Sequence, residues 1–185
     1  MSKLIALLLV LTLSPILFLV SFISFLMHGL PIFFYQPRMG RGGAVFTMFK
    51  FRTMKNGTPQ DVATHLLDEP KKYNTLLGSF LRKYSIDEFP QLFNIINGDM
   101  KFIGPRPSLI NQKDLNHLRT VYGTINSLPG VTGWAQVNGR DKNTVQQKAE
   151  MELWYENNKS FALDCKIIFL TIKNMIFPKG IYPEK

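Results

Sequence analysis

Two adjacent acidic residues, Asp87 and Glu88, are the side chains in this sequence whose types and spacing best suit chemistry. They follow Ser85 by two and three residues, and the cations Arg82 and Lys83 lie just before them. A carboxylate surrounded by cations can contact Mg²⁺ and a phosphate group. Acidic residues in a first helical turn also stabilise the helix dipole by about 0.3–1 kcal/mol, which requires no catalysis. Asp87 and Glu88 are therefore candidate catalytic residues, with helix capping as the alternative.

Basic side chains on a predicted strand are the next candidates. Residues 45–53 have the alternation of a strand, in which Lys50 and Arg52 share one face because alternate residues point the same way. This face is either solvated or a pair of cations directed at a phosphate group. The residues alone leave both interpretations open.

The segment Gly104-Pro105-Arg106-Pro107 predicts a stiff loop that presents an arginine. Proline fixes the backbone angle φ and provides no amide donor, so the segment cannot be a helix or a central strand. The two prolines would hold Arg106 at a low entropic cost.

The remaining pattern predicts a small, mostly helical α+β domain that positions these residues. Ser85 and Glu88 have the spacing of a capping box at the start of a helix. The predicted strands are residues 31–36, 45–53, 99–103 and 134–137, and the predicted helices are residues 72–83, 89–96, 109–121, 144–157 and 161–177.

Composition restricts the class of protein. The chain has 185 residues, of which 45% are hydrophobic, so it is neither disordered nor of low complexity. Its single cysteine, Cys165, excludes a disulfide framework and a cysteine-rich zinc site. Lys and Arg number 22 against 13 Asp and Glu, and this surplus predicts a polyanionic partner such as nucleic acid, anionic lipid or a phosphorylated substrate.

Residues 4–26 carry no charge and predict a membrane-inserted helix. A straight helix of this length is about 34 Å long, enough to cross a hydrocarbon core of ~30 Å. Ser14 and Pro15 lie near its middle, which predicts either a kinked spanning helix or a re-entrant helix that enters and leaves by one face. We expect a membrane-inserted segment at residues 1–29 and a catalytic domain at residues 30–185. The cations that follow the helix place this domain in the cytoplasm.

Several longer motifs carry a family resemblance. They are FKFRTM (49–54), GSFLRKYSIDEFPQL (78–92), GDM (98–100), GPRP (104–107) and PGVTGWAQVNGR (129–140). Together with the Ser14-Pro15 pair, and in this order, they resemble the bacterial sugar transferases, the monotopic phosphoglycosyl transferases. The resemblance covers nearly the whole chain and leads us to expect the minimal catalytic form of that family.

The resemblance implies a reaction and a location. A sugar 1-phosphate would move from a UDP-sugar to undecaprenyl phosphate, with release of UMP, at the cytoplasmic face of a bacterial inner membrane. The product would enter synthesis of a surface glycan, such as a capsule, an O-antigen, an exopolysaccharide or a glycoprotein glycan. Asp87 would be the nucleophile that carries the phosphosugar and a contact of Mg²⁺, and Glu88 would assist with the metal or with proton handling.

The candidate substrate-binding residues are Lys50, Arg52, Arg82, Arg106, Asn138 and Arg140. Asp164 is a candidate orienting partner of Arg140. The alternative function is that of a non-catalytic, membrane-anchored basic protein that binds anionic lipid or nucleic acid. That class predicts clustered cations with stacking aromatics, whereas these cations are dispersed among glycines and prolines, so we expect no nucleic-acid partner.

Overall fold

The structure is a computed structural model that describes residues 2–59, 70–139 and 142–177. It confirms a small, mostly helical α+β fold. The α-helices are α1 (Ser2–His28), α2 (Pro70–Tyr73), α3 (Leu76–Lys83), α4 (Gln91–Asn97), α5 (Lys113–Val121), α6 (Trp134–Val137), α7 (Val145–Asn157) and α8 (Phe161–Ile176). The strands are β1 (Phe33–Met39), β2 (Val45–Phe51), β3 (Lys101–Ile103) and β4 (Gly130–Thr132), and short 3-10 helices lie at Arg41–Gly43, Ile86–Glu88 and Thr124–Asn126.

The described residues form two compact units. The first contains residues 2–36, 48–59 and 70–97, and the second contains residues 37–47, 98–139 and 142–177. The hairpin of β1 and β2 contributes residues to both units. Helix α1 belongs to the first unit together with α3 and α4, so this division does not follow the boundary expected at residue 29, which stays a prediction.

Helix α1 continues through Pro15. Proline has no amide donor, so the carbonyl of Leu11, four residues earlier, loses its usual partner. The hydroxyl of Ser14 donates to that carbonyl at 2.8 Å. This bond explains why serine next to proline is compatible with one helix from Ser2 to His28, and the re-entrant topology stays a prediction.

The surface of α1 is apolar and largely exposed. The most exposed large side chains recur about every two helical turns, at Leu4, Leu11, Phe18 and Leu26. Exposed apolar area of this size is unfavourable in water, and the helix is long and apolar enough to cross a membrane. We therefore describe α1 as a membrane-associated helix.

The first unit packs α1 against α4, and the ammonium of Lys3 donates to the carbonyl of Asn97 at 3.2 Å. Its largest buried apolar side chains are Phe51, Leu81 and Ile95. Each is almost completely buried, so β2, α3 and α4 each contribute to the interior of this unit.

Helix α3 approaches the backbone that follows β2 very closely. Thr75 caps the helix by accepting a hydrogen bond from the amide of Gly78 at 2.9 Å, and its own amide donates to the carbonyl of Thr53 at 3.1 Å. A Cβ atom on Gly78 would lie 1.9 Å from that same carbonyl oxygen. Position 78 therefore requires glycine because of space.

The second unit is built on the parallel pairing of β3 with β4, in which Lys101 pairs with Gly130 and Ile103 with Thr132. Its core contains Ile103, Tyr155 and Ile167, with partly buried side chains from α6 and α8 packed against them. The backbones of Gly104 and Gly130 lie so close together that a Cβ atom on Gly130 would be 2.1 Å from the Gly104 nitrogen.

One predicted strand is wrong. Residues 134–137 form the helical turn α6, and the strand lies just before them at β4. The run Trp-Ala-Gln-Val is too short for its alternation to separate a strand from one turn of helix. Pairing with β3 selects the preceding Gly130–Thr132 for the strand, and Gly133 then begins the turn.

We predict that Gly78→Ala destabilises the protein by about 1–3 kcal/mol, because the new methyl group meets backbone that no side-chain rotation can move. Alanine favours a helix over glycine by about 1 kcal/mol, which offsets part of the steric loss. Ser79→Ala, at the neighbouring exposed position, is the matched control. Thermal unfolding in detergent measures both variants. Equal melting temperatures for the two would contradict the close approach.

Candidate active site

The acidic pair lies in a 3-10 turn that precedes α4. Ser85 has a left-handed backbone, with φ 56° and ψ 23°, and makes no capping hydrogen bond through its side chain. The predicted capping box is therefore wrong, because an N-cap residue needs an extended backbone for its hydroxyl to reach the following amides. Helix α4 begins only at Gln91, so dipole stabilisation of a long helix no longer accounts for Asp87 and Glu88.

Lys50 of β2 joins the two acids. Its ammonium nitrogen lies 2.6 Å from Oε1 of Glu88 and 3.8 Å from Oδ2 of Asp87. The side chains of Lys50, Asp87 and Glu88 are only 14%, 9% and 13% exposed. Three charged groups with little water around them interact more strongly than the same groups on a surface. The structure thus brings together three residues that the sequence analysis assigned separately to catalysis and to substrate binding.

A buried amide fixes β2 beside α4. Asn94 is completely buried, and its side-chain oxygen accepts a hydrogen bond from the backbone amide of Phe49 at 3.1 Å. This bond sets the position of the residue immediately before Lys50. Asn94 was not among the residues predicted from the sequence, although an asparagine within the apolar run Leu92-Phe93-Asn94-Ile95-Ile96 is a signal of a buried polar contact.

Two further predicted cations lie in the first unit. A guanidinium nitrogen of Arg52 donates to the side chain of Asn56, and its Nε is buried without a hydrogen-bond partner. Arg82 donates to the side chain of Asn74 at 3.4 Å. A buried guanidinium N–H without an acceptor is unfavourable, so Arg52 is suited to bind an added anion.

Arg106 lies in the second unit. Its neighbours Pro105 and Pro107 are buried, whereas Arg106 itself is exposed. Residues 104–107 lie outside the helices and strands, so the segment is a loop, and its stiffness stays a prediction.

The other predicted residues of the second unit have local roles or lie outside the described residues. Asn138 donates to the carbonyl of Trp134 at 2.9 Å, at the end of α6. Asp164 accepts a hydrogen bond from the hydroxyl of Tyr155 at 2.7 Å, and burial, followed by this bond, raises the pKa of Tyr155. Tyr155 therefore remains a donor to Asp164 over the physiological range. Arg140, the predicted partner of Asp164, lies outside the described residues.

The acidic pair has a donor set that fits Mg²⁺. This ion is usually held by one or two carboxylates together with substrate phosphates, and it needs no cage of protein ligands. Asp87 supplies a carboxylate whose Oδ2 is farther from Lys50 than a hydrogen bond, while Glu88 takes the closer contact. Among residues 2–59, 70–139 and 142–177, no three His, Cys, Asp or Glu side chains form a metal-binding group.

Comparison with known proteins decides the family. A family model described as "Bacterial sugar transferase" matches residues 1–178 of the chain. The chain belongs to the bacterial sugar transferase family. The membership confirms the resemblance found in the motifs and the expected enzyme class, a transferase.

Curated relatives of this sugar transferase differ in length. It is 41% identical over 153 residues to an uncharacterized sugar transferase, EpsL, of Bacillus subtilis, covering 83% of this chain and 74% of the relative. It is 33% identical over 193 residues to the exopolysaccharide production protein ExoY of Sinorhizobium fredii, covering 97% and 85%. It is 33% identical over 184 residues to the UDP-glucose:undecaprenyl-phosphate glucose-1-phosphate transferase of Escherichia coli, covering 96% of this chain but only 39% of that protein.

We predict that Lys50→Met in this sugar transferase lowers stability by about 2 kcal/mol, because it leaves two carboxylates with little solvent and no ammonium between them. Adding Glu88→Gln to Lys50→Met removes one of those charges and should recover part of the loss. Lys83→Met, at an exposed lysine of α3, is the control. Melting temperatures of wild type, Lys50→Met, Glu88→Gln alone and the double substitution give the coupling, and independent effects of the two substitutions would contradict the interaction.

Proposed function

We propose that this chain transfers a sugar 1-phosphate from a UDP-sugar to undecaprenyl phosphate and releases UMP, through a covalent phosphosugar on Asp87. The family supports a transferase of sugars. The relative from Escherichia coli is named for transfer of glucose 1-phosphate from UDP-glucose to undecaprenyl phosphate. Another relative, from Aeromonas hydrophila, is named for N-acetylgalactosamine, so the proposal extends to UDP-sugars as a class.

The observation that carries the proposal is the ammonium of Lys50 beside both acids. A carboxylate that approaches a diphosphate is repelled by about 4 kcal/mol per charge pair at 4 Å and an effective dielectric constant of 20. The ammonium at 3.8 Å from Asp87 offsets part of this repulsion. Its closer contact with Glu88 holds it in place, so the cation need not be ordered when substrate binds.

In the first step, a carboxylate oxygen of Asp87 attacks the phosphorus that bears the sugar. A bond forms between that oxygen and the phosphorus, and the bond from the phosphorus to the UMP oxygen breaks. The electron pair leaves with UMP, and the sugar phosphate remains on Asp87 as an acyl phosphate. Covalent catalysis of this kind divides one transfer into two easier steps.

In the second step, a phosphate oxygen of undecaprenyl phosphate attacks the same phosphorus. The new diphosphate bond forms as the bond to Asp87 breaks, which returns the carboxylate and yields the undecaprenyl diphosphate sugar. Two successive displacements allow one carboxylate to serve a water-soluble donor and a lipid acceptor in turn.

Cations and Mg²⁺ complete the proposed site. Arg52 and Arg82 of the first unit are proposed to bind substrate phosphates, as arginine forks suit this geometry. Arg106, Asn138 and Arg140 stay predicted substrate-binding residues. Asp87, with assistance from Glu88, would hold Mg²⁺. The ion would neutralise charge on the diphosphate.

We also propose where the reaction occurs. Helix α1 would anchor the chain in the bacterial inner membrane with the catalytic residues on the cytoplasmic side, because Arg38, Arg41, Lys50 and Arg52 all follow the apolar run. The product would enter synthesis of a surface glycan, as the name of the exopolysaccharide relative suggests for that protein.

We predict that Asp87→Asn lowers the rate of UMP release by at least about 10³-fold, because an amide oxygen is a poor nucleophile at phosphorus. Asp87→Glu should lose most activity, since its carboxylate is displaced by a methylene. UMP is followed in detergent with UDP-glucose and other UDP-sugars plus undecaprenyl phosphate. Asp114→Asn, at an exposed acid of α5, is the control.

The covalent step has its own readout. UDP-sugar labelled in the sugar should leave label on the wild-type chain when no acceptor is present, and none on Asp87→Asn. Wild-type turnover by Asp87→Asn would refute the role of the nucleophile.

We predict that EDTA stops UMP release and that added Mg²⁺ restores it, because the diphosphate charge is then no longer neutralised near Asp87. The rate is measured before chelation, in EDTA and after excess Mg²⁺, with thermal unfolding recorded in each condition as the control for folding. Full activity in EDTA would remove the metal from the proposal.

A further inference from the structure

Residues 105–108 form a loop around Arg106, called here the Arg106 loop, and each of its four carbonyl groups accepts a hydrogen bond. Two bonds come from backbone amides and two come from arginine guanidinium groups of the same unit. The donors are the Gly130 amide to Pro105 at 2.8 Å, Arg119 Nη2 to Arg106 at 2.9 Å, Arg38 Nη1 to Pro107 at 3.1 Å and the Met39 amide to Ser108 at 2.9 Å. Most loops leave such carbonyls to water, so this one is held unusually completely.

The guanidinium of Arg119 is itself fixed by Glu152 of α7. Arg119 Nε lies 2.7 Å from Oε2 of Glu152, and Nη2 lies 2.6 Å from Oε1. The two residues are only 4% and 5% exposed. This is a bidentate, buried ion pair, and the second hydrogen on Nη2 donates to the carbonyl of Arg106.

A buried ion pair of this kind is poorly explained by stability alone. Removing two charges from water is unfavourable, and replacement of such a pair by apolar residues is often neutral or stabilising. Arg119 and Glu152 instead fix the orientation of the Arg106 backbone, because Arg119 donates to the carbonyl of this residue between two prolines. That residue, Arg106, is exposed, while the prolines on both sides are buried.

We propose that Arg119 and Glu152 are positioning residues that orient Arg106 to bind a phosphate group of the UDP-sugar. This inference rests on the proposed function and adds to it two residues outside the motifs that carry the family resemblance. Neither residue touches substrate in this proposal. Both act through the carbonyl of Arg106, which Arg119 holds.

The decisive variant is Arg119→Met with Glu152→Leu, which replaces the pair by apolar side chains and leaves no buried charge unpaired. We expect near wild-type melting and a Michaelis constant for UDP-sugar raised by about tenfold to a hundredfold, with kcat changed much less. A purely structural role predicts the opposite pattern, because partial unfolding lowers the active fraction and leaves the Michaelis constant unchanged. Gln146→Leu is the matched control, since it removes another polar link, to Tyr122, between the α5 region and α7.

Coupling to Arg106 makes the test specific. In an Arg106→Ala background the same double substitution should raise the Michaelis constant by less than about twofold, because the residue it positions is already absent. If the double substitution raised the Michaelis constant by the same factor in the Arg106→Ala background as in wild type, the proposal would be overturned. A wild-type Michaelis constant in the double substitution alone would overturn it as well.

Hydrogen–deuterium exchange separates this inference from the proposed function. The peptide that contains residues 104–109 should exchange faster in the double substitution than in wild type, whether or not the chain transfers sugar phosphate. If wild-type protein releases no UMP from any UDP-sugar, the proposed function fails, and the exchange rate alone then judges the role of Arg119. Unchanged exchange in this peptide would overturn the inference in either case.

Discussion

The contact between the ammonium of Lys50 and two neighbouring carboxylates is the interaction on which the first unit depends. Asp87 and Glu88 are mostly buried, so two adjacent negative charges require a cation close by. Lys50 can provide it only if β2 lies at the right height beside the turn before α4. The Phe49 amide donates a hydrogen bond to the side-chain oxygen of Asn94, and this bond sets the position of β2. Burial of Asn94 is tolerated because this oxygen has a hydrogen-bond partner. A charge requirement thus determines a strand position.

The same unit connects this charge cluster to the membrane-associated helix. Helix α4 carries Asn94 and also packs against α1, where Lys3 donates to the carbonyl at its end. Helix α4 is only seven residues long, and it contacts both the membrane-associated helix α1 and β2, the strand that bears Lys50. For an enzyme whose proposed acceptor is confined to a bilayer, a short rigid element between anchor and nucleophile is a physical advantage, because it limits how far the two can move apart. Ser14 serves this arrangement indirectly, since its bond to Leu11 keeps α1 helical through Pro15.

Helices α7 and α8 were predictable from their periodic patterns, whereas the single helix predicted at residues 72–83 is wrong, because Asn74 and Thr75 separate α2 from α3. Contacts between distant residues were not predictable. Helices α7 and α8 begin and end within a residue of their predicted bounds, and the capping box that starts α7 at Thr144 uses only local atoms. The capping box predicted at Ser85 failed because Glu88 forms a contact with Lys50, thirty-eight residues away, and because Ser85 takes a left-handed backbone. Motifs identified Asp87 and Lys50 as chemically important, but no spacing rule could show that they meet. Asn94 and Arg119 were missed for the same reason, since each acts on a backbone group far along the chain.

In each unit a glutamate holds a basic side chain in place through an ion pair. In the first, Glu88 holds Lys50 beside Asp87, and the ammonium remains close to the carboxylate that needs it. In the second, Glu152 holds Arg119, whose remaining donor reaches the Arg106 loop. The glycines at 104 and 130 belong to the same solution, because only their bare backbones allow β3 and β4 to bring that loop so close to its donors. Long cationic side chains lose much entropy when they are ordered. Glutamate partners order them during folding, so substrate binding does not have to.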